Sequence, residues 1–253
     1  GCGESGDVVG LVQKMKGLGF RQALDYLKSQ AMTAAPGNPP AGNASSRKPS
    51  PQAAAGLPAA PAYPELTLST VTEHYHRRFC ESPEARAYLE ARGIQDPALL
   101  RRFQVGFADG SLLSLLSNGQ KSWLRELGVV SDSGRELFYR CLTFPILDEG
   151  GRSVGLYGRS IEAKAKLKHL YLPGPHQGVF NRKASKAFPE VLLTEGILDA
   201  LSLIGLGFDN VQACYGVNGF TGEHLTILRD DRVKTVIVAF DNDPPGRKAS
   251  EEL

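Results

Sequence analysis

The stretch from 189 to 253 alternates short apolar, β-branched runs with helical runs, and this narrows the possible folds more than any other feature. Glu190–Thr194 reads as a strand, Ile197–Leu206 as a helix and Asn210–Tyr215 as a second strand. Thr221–Arg229 reads as a helix capped by Thr221, Thr235–Phe240 as a third strand, and a further helix starts near Pro245. Strand–helix alternation on this spacing predicts a βαβαβ parallel sheet with right-handed crossovers. Val191–Leu193 and Val236–Val238 are expected to be buried strand cores.

Open parallel sheets form their sites beyond the carboxyl ends of the strands. Glu195 directly follows the first strand, and Asp241 and Asp243 directly follow the third. Asp199 lies four residues past Glu195, about one helical turn, and is expected to face the same way. Any one of these acids is well explained as a helix cap or first-turn acid. The set is not, because four like charges at one sheet edge repel unless a cation sits among them. Oxygen-only ligands suit Mg²⁺ or Mn²⁺, and metal-assisted phosphoryl transfer follows as a reaction class.

The rest of the chain divides by composition. Residues 66–188 carry 18 Lys/Arg against 12 Asp/Glu, whereas 189–253 carry 5 against 11. A basic block beside an acidic one fits a nucleic-acid surface next to a cation site. In the basic block, Thr70–Phe79, Pro83–Arg92 and Pro97–Phe103 are predicted helices. Cys141–Leu147 and Ser153–Tyr157 form a predicted hairpin around Asp148-Glu149-Gly150-Gly151. Residues 31–65 hold eight of the 16 prolines and 11 alanines with Glu65 as their one acid, which predicts a flexible or partly polyproline linker. Residues 1–30 read as a Gly-rich turn followed by helices, with Asp7 able to cap the first. The chain begins without Met and stops inside a predicted helix, so it reads as a piece of a longer protein, C-terminally incomplete in its last domain.

At this point a resemblance becomes specific. Leu192-Leu193-Thr194-Glu195-Gly196-Ile197-Leu198-Asp199 is similar to the first motif of the TOPRIM fold. Val238-Ala239-Phe240-Asp241-Asn242-Asp243, followed by Gly246-Arg247, resembles its second motif in the form found in DnaG-type primases. Upstream, Tyr88-Leu89-Glu90-Ala91-Arg92-Gly93, Phe103-Gln104-Val105-Gly106-Phe107-Ala108, Phe144-Pro145-Ile146 with Val154–Arg159, and Lys168-His169-Leu170-Tyr171-Leu172-Pro173 resemble successive segments of the primase core in order. Gly1-Cys2-Gly3-Glu4-Ser5-Gly6-Asp7 resembles the end of the CHC-type zinc-binding domain that precedes that core.

The resemblance implies an α/β chain in four parts: a zinc-binding remnant (1–30), a linker (31–65), a mixed α+β basic subdomain (66–188) and a TOPRIM subdomain (189–253). It implies that Glu195 acts near the reacting phosphate, that Glu195, Asp241 and Asp243 bind Mg²⁺ or Mn²⁺, and that Asp199 supports the site. Arg92, Arg159, Lys168, Arg247 and Lys248 become candidates for template or nucleotide phosphates, with helix C-capping beside Gly93 a rival role for Arg92. Cys2 would be one zinc ligand, and a structural zinc needs four, so Zn²⁺ is expected in an intact protein and not on these residues alone. The implied activity is synthesis of short RNA primers in DNA replication, from ribonucleoside triphosphates on single-stranded DNA, in the cytoplasm. A replicative helicase is the implied primosome partner, through a region beyond this sequence. A non-catalytic single-strand-binding accessory, and a TOPRIM nuclease or topoisomerase, are the rival readings. The chain departs from the family at Gly216-Val217-Asn218-Gly219, where primases carry Gly-Thr.

Several residues stay outside the site. His74 and His76 are two apart on a predicted helix and do not share a face. Cys80, Cys141 and Cys214 are expected in the core, and Trp123 in packing. No disulfide framework and no membrane-spanning run is apparent.

Overall fold

The computed structural model describes residues 63–253, together with Gln22. The expected zinc-binding remnant with Cys2, and nearly all of the expected linker, lie outside the described residues.

Thr67 opens the fold by capping α1 (Leu68–Glu81) in a reciprocal box with Thr70. Helices α2 (Pro83–Glu90) and α3 (Pro97–Arg102) each start on a proline behind a capping residue, Ser82 and Asp96. Four strands, β1 (Gly106–Ala108), β2 (Cys141–Leu147), β3 (Ser153–Ser160) and β4 (His169–Tyr171), pair antiparallel in that order. Helix α4 (Asn118–Glu126) lies between β1 and β2. A Cβ on Gly106 would fall 2.7 Å from the Tyr75 Cβ, so glycine there lets α1 lie directly on the sheet. The buried ring of Tyr75 joins Leu124, Phe138 and Leu156 in one core beneath that helix.

After α5 (Lys183–Ala187) the chain enters the parallel sheet: β5 (Glu190–Thr194), α6 (Ile197–Gly205), β6 (Val211–Ala213), α7 (Gly222–Asp230), β7 (Thr235–Ala239) and α8 (Pro244–Glu252). The strand order is β6-β5-β7, with β5 in the middle and Leu192 level with Val211 and Ile237. The two sheets share a core. Phe144, Tyr157 and Phe180 pack in the same cluster as Ile197, Leu201 and Val211, and a bridge pairs Phe180 with Ala213.

The expected mixed α/β architecture with a parallel sheet is present, but two readings need correction and some elements are additional. Val236 and Ile237 are not buried: they are 41 and 42% exposed, because β7 is an edge strand paired with β5 alone. Cys80 is exposed on the solvent face of α1, its Sγ 3.9 Å from His76 Nε2, whereas Cys141 and Cys214 are buried as expected. Helices α4 and α5 and strands β1 and β4 are not among the elements the sequence predicts. Leu124 is the one fully buried residue of α4, too little apolar periodicity to mark it, and its start rests on a capping box of Ser117 and Gln120. Trp123 packs as expected, its Nε1 donating to the Leu66 carbonyl at 2.8 Å. His74 and His76 bond to different partners, Ser111 and the Val105 carbonyl.

Candidate active site

The parallel register places the ends of β5 and β7 side by side, with Thr194 opposite Ala239. The next residue on one side is Glu195, and Asp241 and Asp243 follow on the other. Asp199 joins from the first turn of α6. The four carboxylates feel one another. Burial raises the Glu195 pKa, and the charges of Asp241, Asp243 and Asp199 raise it further, against a backbone N–H from Asp241. Burial likewise raises Asp199, with Asp241 adding to it, while hydrogen bonds from nearby backbone and the Arg159 charge act the other way. The thiol of Cys214, just past β6, is pushed up to about 12 by burial and then by Glu195.

Asp243 has a second task. Its Oδ1 accepts the Gly246 N–H at 2.8 Å and caps α8. The chain turns so tightly there that a Cβ on Gly246 would sit 2.2 Å from the Asp241 carbonyl oxygen. Only glycine permits that wrap.

Among the described residues, no three His, Cys, Asp or Glu groups already stand close enough to hold an ion between them. The donor set still fits Mg²⁺ or Mn²⁺: it is all oxygen, carries unneutralised negative charge, and such ions keep several waters while using one or two carboxylates.

The basic candidates divide. Arg159 on β3 is held by two side chains: its Nε donates to Tyr88 Oη at 3.0 Å and its Nη1 contacts His169 Nε2, and its charge reaches Asp199. Arg92 lies 3.7 Å over the Tyr88 ring and donates to the Tyr88 carbonyl at 3.0 Å, the helix-end role that rivalled phosphate binding. Lys168 turns onto its own loop, donating to the Glu162 and Ala163 carbonyls at 2.5 and 2.7 Å. Arg247 closes on Asn242 O and Oδ1 at 3.0 and 3.2 Å, and Lys248 lies exposed 3.7 Å from Glu252. Of the five, Arg159 is the one whose charge acts on an acid of the set, Asp199, and the other four have local partners. Missed in the sequence were the groups that hold Arg159, Tyr88 and His169. The i,i+4 spacing of Tyr88 and Arg92 was visible, but nothing in the sequence tied either to residue 159.

Residues 74–188 match the family model "DNA primase catalytic core, N-terminal domain", and residues 192–253 match the model "Toprim-like". A DNA primase of Aquifex aeolicus is 30% identical over 202 residues, covering 73% of this chain and 40% of that protein. A DNA primase domain from Pseudomonas aeruginosa superposes with a TM-score of 0.64 at 28% identity, covering 75% of this chain and 64% of that one. A DnaG primase catalytic domain bound to single-stranded DNA shares the fold, with a TM-score of 0.60 at 24% identity over 72% of this chain and 62% of that one. The chain spans about 40% of the length of the curated relatives it matches. None of these relatives favours the accessory, nuclease or topoisomerase readings. With the acidic edge and Arg159 in place and both family models matching consecutively along it, the chain belongs to the DnaG-type DNA primases.

Proposed function

We propose that this chain carries the polymerase site of a DNA primase, joining ribonucleotides into short primers on single-stranded DNA. The observation that supports this most is the unneutralised carboxylate set Glu195, Asp199, Asp241 and Asp243 at one sheet edge, with Arg159 beside it. In the reaction, a primer 3′-hydroxyl oxygen bonds to the α-phosphorus of the incoming nucleotide. The bond from that phosphorus to the bridging oxygen breaks, and pyrophosphate leaves. Glu195, at the end of β5 beside Asp241 and Asp243, accepts the hydroxyl proton. Glu195, Asp241 and Asp243 would hold Mg²⁺ or Mn²⁺, which when bound supplies charge stabilisation at the phosphates. Asp199 supports the set from the first turn of α6, and the planar Arg159 fork is oriented by Tyr88 and His169 toward phosphate oxygens.

The proposed division is the basic subdomain 66–188 and the TOPRIM subdomain 189–253, behind the linker 31–65 and the zinc-binding remnant 1–30. The single-stranded template is supported by the related catalytic domain bound to single-stranded DNA. Ribonucleoside triphosphates follow from the reaction. Zinc on Cys2 with further ligands, a helicase partner and a cytoplasmic setting belong to the same proposal. Among the described residues no helix is long and apolar enough to cross a membrane.

The test is primer synthesis from single-stranded template, ribonucleotides and Mg²⁺, in parallel with Asp241→Ala. Incorporation should fall on the order of 10²–10³-fold, as when one charge-stabilising group is removed from a transition state. Undiminished product from the variant would sink the assignment.

A further inference from the structure

Tyr215 leaves the carboxyl end of β6 on the same edge as the acids. The next residue, Gly216, donates its N–H to the Glu195 carbonyl at 3.0 Å, so the ring is tied to the backbone of the site. The Tyr215 hydroxyl donates to the Gln177 and Gly178 carbonyls at 2.9 and 2.7 Å, which fixes the loop after β4 against it. On that loop His176 lies flat against Tyr215, centroids 4.2 Å apart and planes 6° apart. Tyr171 braces both rings edge-on, at 4.7 Å from His176 and 5.5 Å from Tyr215. Tyr171 pairs across the sheet with Tyr157, whose hydroxyl feels the Asp199 charge. The stack is thus tied at Gly216 to the backbone of Glu195 and ends in solvent, because His176 is exposed. Among the described residues, no protein group hydrogen-bonds to either ring nitrogen of His176.

We propose that the His176–Tyr215 stack is a nucleobase platform beside the acidic site, on which one base of the template strand or of a nucleoside triphosphate lies against His176. This rests on the nucleotidyl-transfer reading and adds a subsite to it. Every base has a π-face, so a rigid exposed ring binds bases with little sequence preference. Tyr215 and Tyr171 supply the rigidity: their edges and hydroxyl are already committed, so His176 presents a fixed plane. The unbonded ring nitrogens leave an edge that can meet a base or a phosphate. Partial burial also lowers the His176 pKa, which keeps the ring neutral and flat-stacking near pH 7. If the stack were packing only, it would fasten the loop after β4 and His176 would be indifferent to ligand.

The test uses the fluorescent base 2-aminopurine, which is quenched on stacking, in two probes with the 253-residue chain. One probe is a single-stranded oligothymidylate with 2-aminopurine inside it, and the other is 2-aminopurine riboside triphosphate. A matched oligonucleotide with an abasic site replaces the base and keeps the charge. Quenching of the first probe assigns the platform to template, and quenching of the second assigns it to the incoming nucleotide. His176→Ala should weaken the quenched probe about five- to hundred-fold, while His176→Phe stays within about twofold of the parent. Parent and His176→Ala should bind the abasic strand alike. Because His176 is exposed, the alanine variant keeps the fold, and the phenylalanine variant checks that a flat ring is what matters. No quenching of either probe, or equal affinity of His176→Ala for both, overturns the platform. Primer synthesis by the parent chain separates the two claims: stacking without synthesis breaks the transfer reading, and synthesis without stacking breaks the platform alone.

Discussion

The parallel sheet carries acids at both of its ends, and the two sets live in opposite electrostatic worlds. At the carboxyl edge, Glu195 and Asp199 are raised by burial and by each other's neighbours. At the other end, Asp231 follows α7 and meets Arg182, which reaches it with both Nη atoms. Ser185 Oγ donates to the same carboxylate at 2.7 Å, and Gln212 Nε2 donates to Ser185 at 3.1 Å. Arg182 also donates to Glu149 at 2.9 Å, in the β2–β3 turn, and Lys186 lies 3.0 Å from that residue. Burial works against the charge of Asp231, yet its pKa is lowered, because the hydrogen bonds from Arg182 and Ser185 and the charges of Arg182 and Lys186 outweigh burial. The same residue type is satisfied at one end, where it joins the two sheets, and left among like charges at the other. Stability sits on one edge of this small sheet, and the proposed chemistry on the other.

Breaking the satisfied end gives the largest effect on the fold. The side chains of Arg182 and Asp231 are 11 and 10% exposed. Asp231→Ala strands most of the guanidinium, so a loss of roughly 3 kcal/mol is expected. For a chain of this size that is a fall of about 6–12 °C in Tm, read by calorimetry. Primer synthesis per folded molecule should persist at temperatures well below the new midpoint. Lost synthesis at full folding would mean that the two edges are coupled.

The unsatisfied end should show the reverse pH dependence. The folded pKa values of Glu195 and Asp199 lie above their unfolded ones. Where both states are protonated, below the ordinary carboxylate range, the site imposes no penalty. The penalty grows as pH rises through the raised folded values, and divalent metal removes it. Melting curves between pH 4 and pH 8 (roughly the span of raised carboxyls) should show Mg²⁺ stabilising the chain near neutrality and not at the acid end. Glu195→Gln should raise the metal-free Tm near neutrality and shrink the Mg²⁺ increment. Asp231 runs the other way: its folded value is depressed, so its contribution is present above the unfolded value and lost as pH falls through the folded one. A Tm that rose with Mg²⁺ equally at both pH extremes would break the contrast.

This contrast was half legible in the sequence. The carboxyl-edge acids could be found because strand–helix alternation fixes which residues follow strands, and residues that follow parallel strands share an edge. Strand β5 and the β2 half of the hairpin were readable to the residue, since β-branched runs and a Gly-Gly turn bound them. The Arg182–Asp231 pair was not readable: its members are 49 residues apart and each looks like a solvated surface charge. The exposure of β7 was hidden for a related reason, because apolar alternation cannot say whether a strand is central or at an edge. Nor could the sequence tell that Lys168 would spend its charge on the Glu162 and Ala163 carbonyls, since that depends on how the loop after β3 folds back.

Asp243 belongs to both kinds of acid and gives the finest test. It raises Glu195 from across the edge, yet its own Oδ1 is satisfied by the Gly246 N–H. Asparagine caps a helix about as well as aspartate but carries no charge. Asp243→Asn should therefore keep α8 and relieve Glu195, leaving the metal-free Tm equal to or above the parent's. Asp243→Ala relieves Glu195 equally but loses the cap, so it should melt below Asp243→Asn by about 1 kcal/mol, or about 2–4 °C. If the charge of Asp243 serves the metal, both variants lose primer synthesis alike. If Asp243 is a cap and nothing more, the asparagine variant keeps its activity and only alanine falls, which would move this residue from the unsatisfied set to the satisfied one.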